Sequence, residues 1–155
     1  MTTSPQTHTT LLQPYLFFGG RCDEAVEFYR SALGAELMML MRFEHGPDPL
    51  PPEMIDRGWD KKVMHSCVRV GDASFMASDG CGEAPSFGGF SLSLTLPSAA
   101  EVDRAYAALA DGGTEQMPLG PTFWSPRFGM LTDRFGVAWM LMVAGPQDQG
   151  AAQTH

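Results

Sequence analysis

The sequence predicts an α+β protein built from two βαβββ modules, and three observations point there. At 155 residues the chain suits one domain that buries about two thirds of its unfolded surface. One helix pattern occurs twice: Glu24 and Tyr29 recur at the same spacing as Glu101 and Tyr106. Each copy follows a short apolar strand and precedes further strands. The modules are placed at 12–79 and 89–143.

The first strand is Tyr15–Phe18, ended by Gly19-Gly20. Asp23-Glu24 then open an amphipathic helix whose apolar positions are Ala25, Phe28, Tyr29 and Ala32, with Gly34 as its C-terminal cap. A strand from Ala35 to Phe43 follows. The Pro-rich stretch 44–62 reads as a loop with one helical turn at Glu53–Arg57. Val63–Val70 and Ala73–Ser78 flank Gly71-Asp72, a two-residue hairpin signal.

In the second module Phe90–Leu96 alternates as a strand with one apolar face. Ser98 and Glu101 form a capping box for a helix whose stripe is Val102, Ala105, Tyr106 and Leu109. Strands are expected at Thr114–Met117, Phe123–Ser125, Phe128–Asp133 and Val137–Val143, with a tight turn at Arg134–Gly136. The polar ends, 1–11 and 144–155, read as disordered tails. That leaves His45 and His65 as the ordered histidines, too few for a three-histidine metal site.

Composition narrows function. Eighteen acidic against ten basic residues give a net charge of −8, and no Lys/Arg cluster opposes it, so nucleic-acid binding is not expected. No apolar run approaches the ~20 residues of a membrane span. Cys22, Cys67 and Cys81 cannot all pair within one chain, and the N-terminus has no signal-peptide pattern, so a cytoplasmic protein is expected. Eleven methionines suit irregular cores and adaptable pockets alike.

Several segments carry a family resemblance: Pro14–Phe18, Asp23–Tyr29, Val63–His65, Phe75–Asp79, and above all Phe123-Trp124-Ser125-Pro126-Arg127-Phe128-Gly129 running into Thr132–Trp139. Across residues 12–143 the chain resembles the PhnB-like branch of the vicinal oxygen chelate superfamily, which includes glyoxalases, dioxygenases and antibiotic-resistance proteins. The resemblance implies a half-open, barrel-like mixed sheet with flanking helices around a pocket, and a homodimer. Some members of the branch carry a demethylubiquinone methyltransferase label. Here Gly19-Gly20 follows a strand, but the G-x-G turn of a nucleotide-cofactor site is missing.

Glyoxalase-like members hold a metal through four strand residues. The resemblance places these positions at Pro14, Met76, Ser91 and Met140. Pro has no side-chain donor, and thioether sulfur is a poor ligand for hard divalent ions. No metal or other cofactor is therefore expected.

The candidate site residues follow from residue chemistry. His65, beside Cys67 at the same-face spacing of two, could serve as a pocket acid or base, or as an ordinary hydrogen-bonded strand histidine. Trp124 offers a stacking wall and Arg127 a carboxylate or phosphate anchor. Packing for Trp124, and pairing of Arg127 with Asp133 or another acid, are the structural alternatives. Asp79 and Asp133 could orient His65, but strand-end Asp is also turn chemistry. Met76, Trp139 and Met140 would line an apolar concavity. The expected function is small-molecule binding in a metal-free apolar pocket. The alternatives are a metal-independent enzyme using His65 with Arg127 or Asp133, and a structural or regulatory dimer.

Overall fold

The computed structural model describes residues 9–82 and 85–145. The expected tails lie largely outside the described residues. Module one contains β1 (Tyr15–Phe17), α1 (Cys22–Leu33), β2 (Glu36–Arg42), a short α2 (Pro52–Asp56), β3 (Val63–Val70) and β4 (Ala73–Ser78). Module two contains β5 (Leu92–Leu96), α3 (Ala99–Ala110), β6 (Thr114–Gly120), β7 (Phe128–Thr132) and β8 (Ala138–Val143). Each forms a four-stranded sheet of the same topology, β1-β4-β3-β2 and β5-β8-β7-β6. In both, the first strand lies parallel to the last and the other pairs are antiparallel.

Local chemistry explains the boundaries. Gly34 ends α1 in the left-handed conformation at φ 66°, its N–H donating to Arg30 O at 3.0 Å, where a side chain would be strained. At the N-terminus of α3 the Glu101 N–H donates to Ser98 Oγ, and the Ser98 hydroxyl donates to the Glu101 carboxylate. The start of α1 is capped from a distance. Asp79, at the end of β4, accepts from the N–H groups of Gly20 and Cys22 at 2.8 and 2.7 Å, and from Val63 N–H at 2.8 Å. A carboxylate there also complements the helix dipole.

One expected strand is absent. Phe123–Ser125 is a loop in which Thr122 N–H donates to Ser125 O and Ser125 N–H donates to Thr122 Oγ1. Pro121 and Pro126 bracket it, and neither can donate to a ladder. The preceding strand, β6, instead runs on to Gly120, with register shifts on both sides of Met117. As an edge strand it tolerates Pro118. Module two therefore has three strands after its helix, matching module one.

The helices pack on their own sheets and against each other. Leu16, Tyr29, Val68 and Ala77 from module one join Val102, Leu109, Leu131 and Leu141 from module two in one buried cluster. The modules are also joined by polar groups. The buried Tyr29 hydroxyl of α1 donates to Asp133 Oδ2 at 2.6 Å. The guanidinium of Arg21 lies over Phe135, and that of Arg134 over Phe28, so each module contributes a cation to the other's aromatic ring.

Candidate functional site

Burial alternates along the strands and separates two faces of each sheet. In module one Leu16, Phe75, Ala77, Ser66 and Val68 are buried towards the helices. Their neighbours Tyr15, Phe17, Met76, His65 and Cys67 therefore face away from them. Register places these side chains in rows: Tyr15 lies opposite Met76, Met76 opposite Cys67, Cys67 opposite Met39, and His65 opposite Met41. Phe17 is 51% exposed and Met39 40%. Such an apolar, open face is unusual for a sheet in water.

Within it lies a polar pair. The Tyr15 hydroxyl and His65 Nδ1 share a hydrogen bond of 3.0 Å, its direction set by the imidazole tautomer. Their rings lie 5.6 Å apart, and Tyr15 stacks on Phe17 at 4.9 Å. When Tyr15 donates, His65 keeps an Nε2–H; when His65 donates, the phenol hydrogen is released. Either arrangement offers a bound molecule a hydrogen-bonding group in an apolar setting. Tyr15 was not among the candidates from sequence. Its signal was available in the alternation of the first strand, since a buried Leu16 places Tyr15 and Phe17 on the other face.

Module two repeats the design with sulfur. Trp139, Leu141 and Leu131 are buried inwards, so Met140 and Met130 face away from the helices. The row runs Ser93, Met140, Met130, Met117 across the four strands. Met76 and Met140 thus hold corresponding places on the two helix-free faces, each next to the strand that opens its module.

The other candidates have structural partners. Asp133 is 3% exposed and accepts four hydrogen bonds. Oδ1 takes the N–H groups of Phe135 and Val137, and Oδ2 takes the Tyr29 hydroxyl and Trp139 Nε1. It lies on the helix side of the core, across the first sheet from His65, and Trp139 is held there with it. Arg127 pairs with Asp103 of α3. Trp124 meets Phe123 and Phe128 edge to face, consistent with packing, although it stays 37% exposed. The structure therefore puts Met76 on the same sheet face as His65, but binds Asp133 and Arg127 to other partners. Asp103 carried no signal in the sequence beyond its place on the exposed side of a helix.

Burial also silences one thiol. The Cys22 thiol is pushed up to about 12, first by burial and then by the charge of Asp79, so it is not a nucleophile at neutral pH.

Pro14 and Ser91 each sit immediately before the first strand of a module. With Ser74, Phe75, Leu92 and Trp139 they line an apolar crevice of about 270 Å³ between the modules. Pro14 contributes its carbonyl to Met76 N–H at 2.9 Å. Pro14, Met76, Ser91 and Met140 supply no carboxylate or imidazole, so this donor set does not fit a hard divalent ion. Among the described residues no three His, Cys, Asp or Glu side chains are grouped to hold a metal.

Known proteins agree with this architecture. The family model for 3-demethylubiquinone-9 3-methyltransferase matches residues 10–142. Protein YjdN of Escherichia coli is 36% identical over 88% of this chain and 97% of its own. The crystal structure of PA1353 from Pseudomonas aeruginosa is 43% identical, covers 88% of this chain and 98% of its own, and superimposes with a TM-score of 0.77. The PhnB protein from Bacillus cereus is 29% identical, covers 87% and 100%, and has a TM-score of 0.70. The paired βαβββ sheets are the glyoxalase-like fold. The chain belongs to the PhnB-like family described as 3-demethylubiquinone-9 3-methyltransferase.

Proposed function

We propose that this protein binds a small, largely apolar molecule with one hydrogen-bonding group, using Tyr15 and His65 as the polar contact and Met39, Met76 and Phe17 as the surrounding surface. The Tyr15–His65 hydrogen bond on an exposed apolar sheet face carries this reading. Apolar walls with a few placed polar groups are the usual form of a small-molecule site. In the proposal no metal or organic cofactor takes part, and the protein works in the cytoplasm. A second copy closes the site by laying its Met117–Met130–Met140 face opposite. Trp124, exposed beside that sheet, would then border the ligand.

A thermal-shift screen of small phenols and aromatic acids tests the reading. Hits are expected to lose their stabilising effect in His65→Ala and weaken in Tyr15→Phe. Hits whose binding ignores both substitutions would reject the site. The same polar pair supports a second reading, a metal-independent enzyme in which Tyr15, rather than Arg127 or Asp133, works with His65. Turnover of a bound hit that disappears in His65→Ala would favour it.

A further inference from the structure

We propose that the hollow between the β1–α1 turn and the start of β3 binds a small oxyanion, with Lys62 as the contacting cation. It is distinct from the Tyr15–His65 face. The hollow measures about 410 Å³ and is bounded by Gly19, Gly20, Arg21, Arg57, Trp59 and Lys62. Three of the chain's ten basic residues border it in a molecule of net charge −8, Arg21 from the β1–α1 turn and Arg57 and Lys62 from the connection between α2 and β3.

Lys62 is the informative member. Arg30, Arg42, Lys61, Arg69 and Arg134 each meet a carboxylate. Lys62 is half-buried and directs its Nζ to a neutral acceptor, Gly20 O, at 2.9 Å. An ammonium carries three N–H donors, and that bond fixes one of them at the wall of the hollow. Arg21 gives one terminal nitrogen to Glu24, and its guanidinium is steadied over Phe135 at 4.5 Å.

The walls are preformed. Trp59 is buried, and its indole N–H donates to Gly80 O at 2.9 Å. Gly20 has φ +107°, and a Cβ there would lie 3.8 Å from the Trp59 ring and 3.9 Å from Lys62 Cε. A side chain is excluded by the backbone conformation rather than by space. The turn therefore leaves the space beside the ammonium free of a side chain. Asp79 already occupies the first N–H groups of α1, so the attraction comes from the side-chain cations and not from the helix end. A phosphate or a carboxylate group satisfies the same geometry.

Titration of inorganic phosphate into the full chain at constant ionic strength tests this, read by amide NMR, with benzoate as a parallel arm. Saturable shifts are expected at the Gly19, Gly20 and Arg21 amides and the Trp59 indole. Lys62→Met and Lys62→Gln should weaken binding about tenfold, as loss of one charge-assisted contact implies, and Lys62→Arg should restore it. Saturation by one anion alone fixes the group recognised. Absence of saturation by both, equal shifts around Arg30 and Arg69, or binding unchanged in whichever Lys62 variant stays folded would overturn the proposal.

Discussion

The carboxylate of Asp133 receives a phenol, an indole and two backbone amides, so its charge is solvated by the protein in place of water. Removing it by Asp133→Ala strands buried donors on both modules, and a loss of about 3 kcal/mol or more is expected in urea unfolding. Tyr29→Phe deletes one bond to a buried charge and should cost about 1.5–3 kcal/mol. Two buried acids make stability depend on alkaline pH. Burial, then the Asp133 charge, holds the Tyr29 phenol above its ordinary 10.0; Cys22 is raised from 9.0 to about 12. Below the lower of the ordinary values, both states keep these protons and stability is flat. As pH rises through 9 towards 12, only the unfolded chain releases them, and folding weakens. Unfolding free energy measured across that window should therefore fall steadily.

At the scale of elements, most of the fold was legible because its signals are local. Gly34, the Ser98–Glu101 box and Gly71-Asp72 act within a few residues of one another, and β3 and β4 carry the expected bounds. What depended on distant partners was not legible. The cap of α1 comes from Asp79, fifty-seven residues after Cys22, and Tyr15 meets His65 across fifty. Phe123–Ser125 has the aromatic content of a strand, yet its bracketing prolines deny it a ladder. Strand Asp133 looked free for chemistry because nothing nearby in sequence shows the Tyr29 hydroxyl that claims it. Close packing gives another element-scale test. A Cβ on Gly129 of β7 would come within 2.8 Å of both Tyr106 of α3 and Leu119 of β6. Gly129→Ala should therefore destabilise by about 1–3 kcal/mol through overpacking, measurable as a lower urea midpoint with an unchanged slope.

At the scale of the molecule, two sheets turn their helix sides into one core and leave the other sides apolar and open. The Met39–Cys67–Met76 row of one sheet and the Met117–Met130–Met140 row of the other offer deformable thioether surfaces, suited to cover a ligand and to meet a second copy. Light scattering is expected to give a dimer, and Phe17→Asp, a charge on the exposed edge strand β1 of the open face, should shift it to monomer. Pro14, Met76, Ser91 and Met140 carry no carboxylate or imidazole, and Tyr15 and His65 form a hydrogen-bonded polar pair on the open face. The most direct measurement is a crystal structure of the protein with a screening hit bound. A ligand seated on the Met39–Met76 surface, its polar atom hydrogen-bonded to Tyr15 or His65, is the expected result. A ligand held only in the Trp139 crevice, with the Tyr15–His65 face empty, would contradict it.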